Sequence, residues 1–177
     1  MPERDTVLLV DMEGHPLGPA PKLAAHEAPG HLHLAFSVFL FRGDEVLLQR
    51  RALSKYHFPG LWANACCSHP APSEDLVESA ARRLREELGV EAEVREVGRF
   101  VYRAVDPVSG RVEHELDHVL VGELAPGREP APDPDEVESV RWVPFAGPPG
   151  ALPEPLAPWF EEAFRIALAG RSPGAHC

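Results

Sequence analysis

Cysteine is scarce. The chain has three cysteines in 177 residues, Cys66 and Cys67 side by side and Cys177 at the far end, so no disulfide framework can organise it and Cys66 and Cys67 are expected to be reduced. No apolar run approaches the ~20 residues of a membrane-spanning helix, and the apolar stretch inside the leading MPERDTVLLVDMEG is too short for a signal peptide. Basic charge is also in deficit: 17 Lys and Arg against 28 Asp and Glu give a net charge of −11, which argues against general nucleic-acid binding. The expectation is a cytoplasmic protein with neither a membrane nor a nucleic-acid partner. An anionic substrate would then have to meet a local group of cations. Two such groups stand out, Arg50, Arg51 and Lys55 in one stretch and Arg82, Arg83 and Arg85 in another.

The length suits one domain, taken as residues 1–170 with a frayed tail over 171–177. Residues 6–11 read as a short strand, followed by a proline-bearing connection to His26. Residues 33–41 are a mostly apolar strand that pairs with 45–49 across the Gly43-Asp44 turn. Residues 52–60 form a polar and aromatic loop, and 62–69 are extended up to Pro70. Ser73 is the expected helix N-cap, with Glu74 and Asp75 at the positive end of the dipole. Leu76, Val77, Ala80, Ala81, Leu84 and Leu88 then recur at helical spacing before Gly89 ends the helix. Strands are predicted over 92–105 and 112–123, joined by a turn at 106–110, and again over 137–143 after an exposed loop at 126–134. A proline-rich stretch leads to a final amphipathic helix over 159–169. Strands interspersed with two helices imply an α+β fold, an α/β/α sandwich with a mixed sheet.

Chemistry concentrates in Glu113-His114-Glu115. In a strand both glutamates project from one face, about 7 Å apart at ~3.3 Å per residue, and at an effective dielectric near 20 their charges repel by roughly 2 kcal/mol. A divalent cation or a bound proton would relieve this. His26, His33, Cys67, His69 and Glu87 are further metal-ligand types, and the set points to a metalloenzyme. Taken alone, Cys67 would read as a core residue and His33 as a hydrogen-bonded structural histidine.

Glu74 together with Arg82-Arg83-Leu84-Arg85-Glu86-Glu87-Leu88-Gly89-Val90 resembles the Nudix box, in which a loop and helix present glutamates to a metal bound to a diphosphate. Two positions depart from it: Ser68 stands where the leading glycine would be, and Arg83 replaces the glutamate that follows the box arginine. A lost carboxylate and a gained cation favour holding a diphosphate over hydrolysing it. Further motifs in the same order are Lys22-Leu23-Ala24-Ala25-His26, the segment His31 to Ser37, Arg50 to Lys55, Pro59-Gly60-Leu61-Trp62, Asn64-Ala65-Cys66-Cys67-Ser68-His69-Pro70 and Glu113 to Asp117. Together they resemble the type I isopentenyl-diphosphate Δ-isomerases, over about residues 7–159.

That resemblance implies a Nudix-type sandwich and a reversible shift of a double bond, from isopentenyl to dimethylallyl diphosphate, without phosphate cleavage. It implies Cys67 and Glu115 as the proton-transfer pair, Tyr102 as hydrogen-bond partner of the carboxylate, and Trp159 over a carbocation. A Mn²⁺ or Zn²⁺ ion would be held by His26, His33, His69, Glu113 and Glu115. A Mg²⁺ ion would lie between Glu87 and the substrate diphosphate, and Lys22, Arg50 or Arg51, Lys55 and Arg83 would clamp that diphosphate. Cys66, His31, His57, His114 and His118 are assigned to structure or surface, and the protein is expected to be a monomer without flavin or nicotinamide. The competing reading is a Nudix hydrolase of a nucleoside or other diphosphate, which Glu74, Glu86 and Glu87 permit.

Overall fold

The computed structural model describes residues 5–146 and 152–171. The first strand, β1 (Thr6–Val10), forms an antiparallel hairpin with β2 (Pro16–Pro21), Thr6 lying opposite Pro21. This corrects the reading of the proline-bearing stretch as a mere connection. Pro16, Pro19 and Pro21 pair with Val10, Leu8 and Thr6 on a strand at the sheet edge, where missing N–H groups on the outer side are tolerated. A single helical turn, α1 (Lys22–Ala25), then delivers His26.

The centre of the sheet is β3 (His33–Arg42). One flank of it pairs in parallel with β8 (Val112–Glu123), from His33 opposite Glu115 to Phe41 opposite Glu123. On the other flank β4 (Glu45–Arg51) stays with β3 at Phe41–Val46 and Arg42–Glu45 and then diverges, and β6 (Cys66–Ser68) pairs antiparallel with Phe36, Ser37 and Val38. β4 goes on to pair with β5 (Trp62–Ala63) and β9 (Val137–Pro144), while β7 (Val94–Val105) pairs with β8. The predicted continuous extension over 62–69 is therefore broken between β5 and β6, at Asn64 and Ala65.

The apolar run of β3 is nearly unbroken because both its faces are covered. Phe36, Val38 and Leu40 pack with Ala80, Leu84 and Leu88 of α2 (Leu76–Leu88), whereas Phe39 and Phe41 pack with Phe160, Ala163 and Ala167 of α3 (Phe160–Gly170). The result is the expected α+β architecture, with a mixed sheet between helices. The cap of α2 is Asp75 and not Ser73: the Asp75 carboxylate accepts from the backbone N–H groups of Val77 and Glu78 at 2.9 and 3.1 Å. Glu74 lies before the helix and instead forks with Arg82, at 2.8 and 2.9 Å. Gly89 ends α2 in the left-handed region, φ 63°, as its residue type suggested. Trp159 is the residue preceding α3 and not its first helical residue. Arg171 is held by Glu123 at 2.8 Å, and the rest of the predicted tail, 172–177, lies outside the described residues.

Candidate active site

The register of β3, β6 and β8 brings the reactive side chains to one face. Alternation along β8 puts Glu113, Glu115 and Asp117 on the same side, next to His33 and Ser37 of β3, and all five are buried. Cys67 is directly opposite Ser37 on β6, and its neighbour Cys66 points the other way into the core against α2, the structural place expected for it. A cleft open to solvent is lined by Cys67, His69, Glu113, Glu115, Tyr102 and Trp159, with Lys22, Arg51, Lys55 and Arg83 among the remaining wall residues.

His26, His33, His69, Glu113 and Glu115 each offer one ligand atom, and these atoms all lie within 4.8 Å of one another. Hydrogen bonding prepares the histidines for a cation. His26 Nδ1 bonds the Lys22 carbonyl at 2.7 Å and His33 Nδ1 bonds the His31 carbonyl at 2.8 Å. A carbonyl only accepts, so both Nδ1 atoms carry the proton and both Nε2 lone pairs are free in the neutral rings. Among the described residues His33 Nε2 is buried with no hydrogen-bond partner, and His26 Nε2 faces Glu113 Oε2 at 3.2 Å, acceptor to acceptor. Burial pushes His33 down to about 4, and holds His69 well below its usual value with help from His33 and Lys22. Neutral imidazoles beside carboxylates fit a transition-metal ion.

Burial opposes ionisation of Glu113, yet the contacts of its carboxyl with Glu115 first, and with His57, outweigh this and hold it low. Glu115 goes the other way, raised by burial and then by the charge of Glu113, while Tyr102 donates to its Oε1 at 3.0 Å and opposes the rise. With protein groups alone the pair thus shares one proton. A divalent cation on these oxygens would lower Glu115 instead. The Cys67 thiol is pushed up to about 12 by burial and by Asp117. Trp159 donates from Nε1 to Cys67 Sγ at 3.2 Å, and its ring lies 6.0 Å from that of Tyr102.

The cationic wall is crowded. Lys22 is lowered by burial, then by Lys55 and Arg83, a strain that an anion would relieve. Lys55 bonds Glu136, and Arg83 bonds Glu86 at 2.8 Å and Glu87 at 2.5 Å. Arg51 lines the cleft, its guanidinium carbon 5.5 Å from the Trp159 ring centroid, whereas Arg50 is not in the lining and turns its Nε to the Gly60 carbonyl at 3.0 Å. Glu87 is buried behind Arg83, with its other oxygen 3.3 Å from Gln49 Nε2.

His57, expected in a structural or surface role, is buried in the cleft wall with Nε2 on Glu113 Oε1, which excludes the surface alternative and keeps the structural one. Burial brings it down to about 4. Its loop carries no periodicity from which this could be read. It is placed by two backbone restraints, Arg51 donating to the carbonyls of His57 and Phe58, and the Phe58 N–H donating to Asp106 at 3.1 Å. Ser37 and Asp117 were also not singled out. Ser37 Oγ donates to Asp117 Oδ2 at 2.7 Å and stands 3.8 Å from Cys67 Sγ.

Residues 31–165 match the NUDIX domain model, which defines the chain as a Nudix-domain protein. Its backbone is like that of a MutT NUDIX hydrolase from Burkholderia pseudomallei, with a TM-score of 0.60 at 24% identity over 76% of this chain and 97% of the other, a likeness of fold alone. Sequence similarity narrows the class. An isopentenyl-diphosphate Delta-isomerase of Nocardia farcinica is 52% identical over 92% of this chain and 94% of its own length, and one of Halorhodospira halophila is 51% identical over 77% and 78%. The chain belongs to the isopentenyl-diphosphate Delta-isomerase family.

Proposed function

We propose that this protein interconverts isopentenyl and dimethylallyl diphosphate by moving protons, leaving the diphosphate intact. The observation that carries the reading is a thiol and a carboxyl, Cys67 and Glu115, lining the same cleft beside a five-donor His/Glu cluster and a wall of cations. Hydrolysis needs no thiol there, and in place of a box glutamate stands Arg83, whose guanidinium neutralises Glu87.

In the forward direction one of the pair gives its proton to the terminal alkene carbon, whose π electrons form the new C–H bond and leave a tertiary cation. The other removes a proton from the carbon two positions away, and that C–H pair becomes the new double bond. Glu115 is buried and Cys67 is half-buried at the cleft wall, so a bound hydrocarbon would displace water from both. The Trp159 indole beside Cys67 supplies electron density worth ~2 kcal/mol or more to a desolvated cation. Tyr102 fixes the Glu115 oxygen that handles the proton. Lys22, Arg51, Lys55 and Arg83 hold the diphosphate, and Arg50 supports the loop from behind.

His26, His33, His69, Glu113 and Glu115 would hold Mn²⁺ or Zn²⁺, the ions that mixed nitrogen and oxygen ligands suit. Such an ion supplies positive charge that lowers the Glu115 carboxyl and fixes its orientation. Glu87 would hold a Mg²⁺, which would supply positive charge to neutralise the substrate diphosphate. The same reading takes the chain as a cytoplasmic monomer in isoprenoid biosynthesis, with a small diphosphate as its partner. Among the described residues no helix is long and apolar enough to cross a membrane.

The test is incubation with isopentenyl diphosphate, Mg²⁺ and Mn²⁺ in D₂O, followed by NMR of the alkene and phosphorus signals. Deuterated dimethylallyl diphosphate with an intact diphosphate supports the proposal. Released phosphate would favour the hydrolase.

A further inference from the structure

Asn64 is completely buried and does not line the cleft, yet all its hydrogen-bonding atoms are committed around the Cys67 thiol. Its Nδ2 lies 3.0 Å from the Val38 carbonyl and 2.8 Å from the Cys66 carbonyl. Its Oδ1 lies 3.1 Å from Cys67 Sγ and 3.1 Å from Trp159 Nε1. The two ends of the amide cannot be exchanged. A carbonyl only accepts and an indole N–H only donates, so reversing the group would set oxygen against two carbonyls and NH₂ against N–H. Asn64 therefore presents a fixed acceptor to the thiol, and the partner that must supply a proton is the Cys67 S–H.

Trp159 Nε1 is shared between this oxygen and Cys67 Sγ, at 3.1 and 3.2 Å. The two contacts serve opposite protonation states. Asn64 can engage only the thiol. The indole N–H can engage the sulfur after its proton has left, when the S–H electron pair remains as the thiolate, and it falls back on Asn64 when the proton returns. Location adds to the argument: Asn64 sits at the break between β5 and β6, and its bond to Val38 ties that break to β3, so the oxygen's position is set by the sheet.

We propose that Asn64 is a positioning residue for the reaction, holding the Cys67 S–H in one orientation and passing the Trp159 N–H to the sulfur when the proton is transferred. This rests on the reading of Cys67 as one of the proton-transfer pair. Because Asn64 does not touch the cleft, its loss is expected to act on turnover and not on substrate binding.

The experiment combines steady-state kinetics with isopentenyl diphosphate and Raman spectroscopy of the S–H stretch, in the full chain. The Cys67 band is assigned as the one missing from Cys67→Ala. In Asn64→Ala, kcat is expected to fall about 100-fold, the size of effect that follows a small misplacement of a reacting group, with KM unchanged. The Cys67 S–H band is expected to move to higher frequency as its acceptor is lost. Parent kcat or an unmoved band, either one alone, overturns the proposal. Should Asn64→Ala fail to fold, Trp159→Phe leaves the amide anchored by both carbonyls and frees Oδ1 for the thiol alone. The band is then expected to move to lower frequency, and no movement overturns the proposal. Retained turnover in Cys67→Ala would refute the catalytic reading of Cys67 itself, an outcome distinct from any given by the Asn64 variant.

Discussion

Asp117 is buried to 1% exposure, with Oδ2 bound by Ser37 and Oδ1 without a hydrogen-bond partner among the described residues, and this makes it a sharp test of the electrostatics. Burial first, and then the nearby charge of Glu113, raise its carboxyl from 3.8 to about 7. The folded state thus binds a proton more tightly than the unfolded chain. Below pH 3.8 both states are protonated and Asp117 contributes nothing to the pH dependence. Between there and about 7 stability falls as pH rises, and above 7 the loss levels off. From pH 5 to about 7 two pH units are spanned, and at 1.36 kcal/mol per unit the loss is about 3 kcal/mol. Asp117→Asn keeps the shape and cannot ionise. Urea unfolding of parent and variant in excess EDTA, at pH 5 and pH 8, gives the difference between them, in which titrations remote from Asp117 cancel. The advantage of the variant is expected to grow by about 3 kcal/mol from the lower pH to the higher. A difference independent of pH would refute the assigned burial cost.

His57→Phe should fill the same space while releasing Glu113 Oε1, and a 10- to 100-fold weaker hold on Mn²⁺ is expected in chelator competition; parent affinity would show that His57 does not orient this carboxylate. Tyr102→Phe removes one hydrogen bond to Glu115 and should lower turnover about tenfold, corresponding to roughly 1.4 kcal/mol, with unchanged rates as the contrary result. Asp75→Ala should cost about 1 kcal/mol and lower Tm by about 3 °C, whereas Ser73→Ala should leave Tm close to the parent value; a reversed order would return the cap of α2 to Ser73.

Much of the site could be read from the sequence because its residues fall on regular elements or in contiguous motifs. Alternation alone puts Glu113 and Glu115 on one face of β8, and Cys66 and Cys67 on opposite faces of β6. The five His and Glu side chains named from the sequence come together, their candidate ligand atoms within 4.8 Å of one another. What escaped has a common cause, since it depends on long-range contacts in irregular segments. His57 reaches Glu113 because Asp106 and Arg51 hold its loop. Choosing Arg51 over Arg50 required knowing which strand face borders the cleft. The β2 strand was missed because prolines break a helix or an inner strand but not an edge paired on one side. Asp117 could be placed on the right face by parity, yet its partner Ser37 is 80 residues away in sequence.

Cys67 and Glu115 rise from strands on opposite flanks of β3. Their backbones are therefore separated laterally by two strand spacings of ~4.8 Å each, and along the strands by the four-residue step from His33 to Ser37, about 13 Å at ~3.3 Å per residue. That span acts as a ruler built from main-chain hydrogen bonds, which side-chain substitution cannot lengthen or shorten. A chain assembled this way can change which groups sit at the two ends of the ruler more readily than the distance between the strands that carry them.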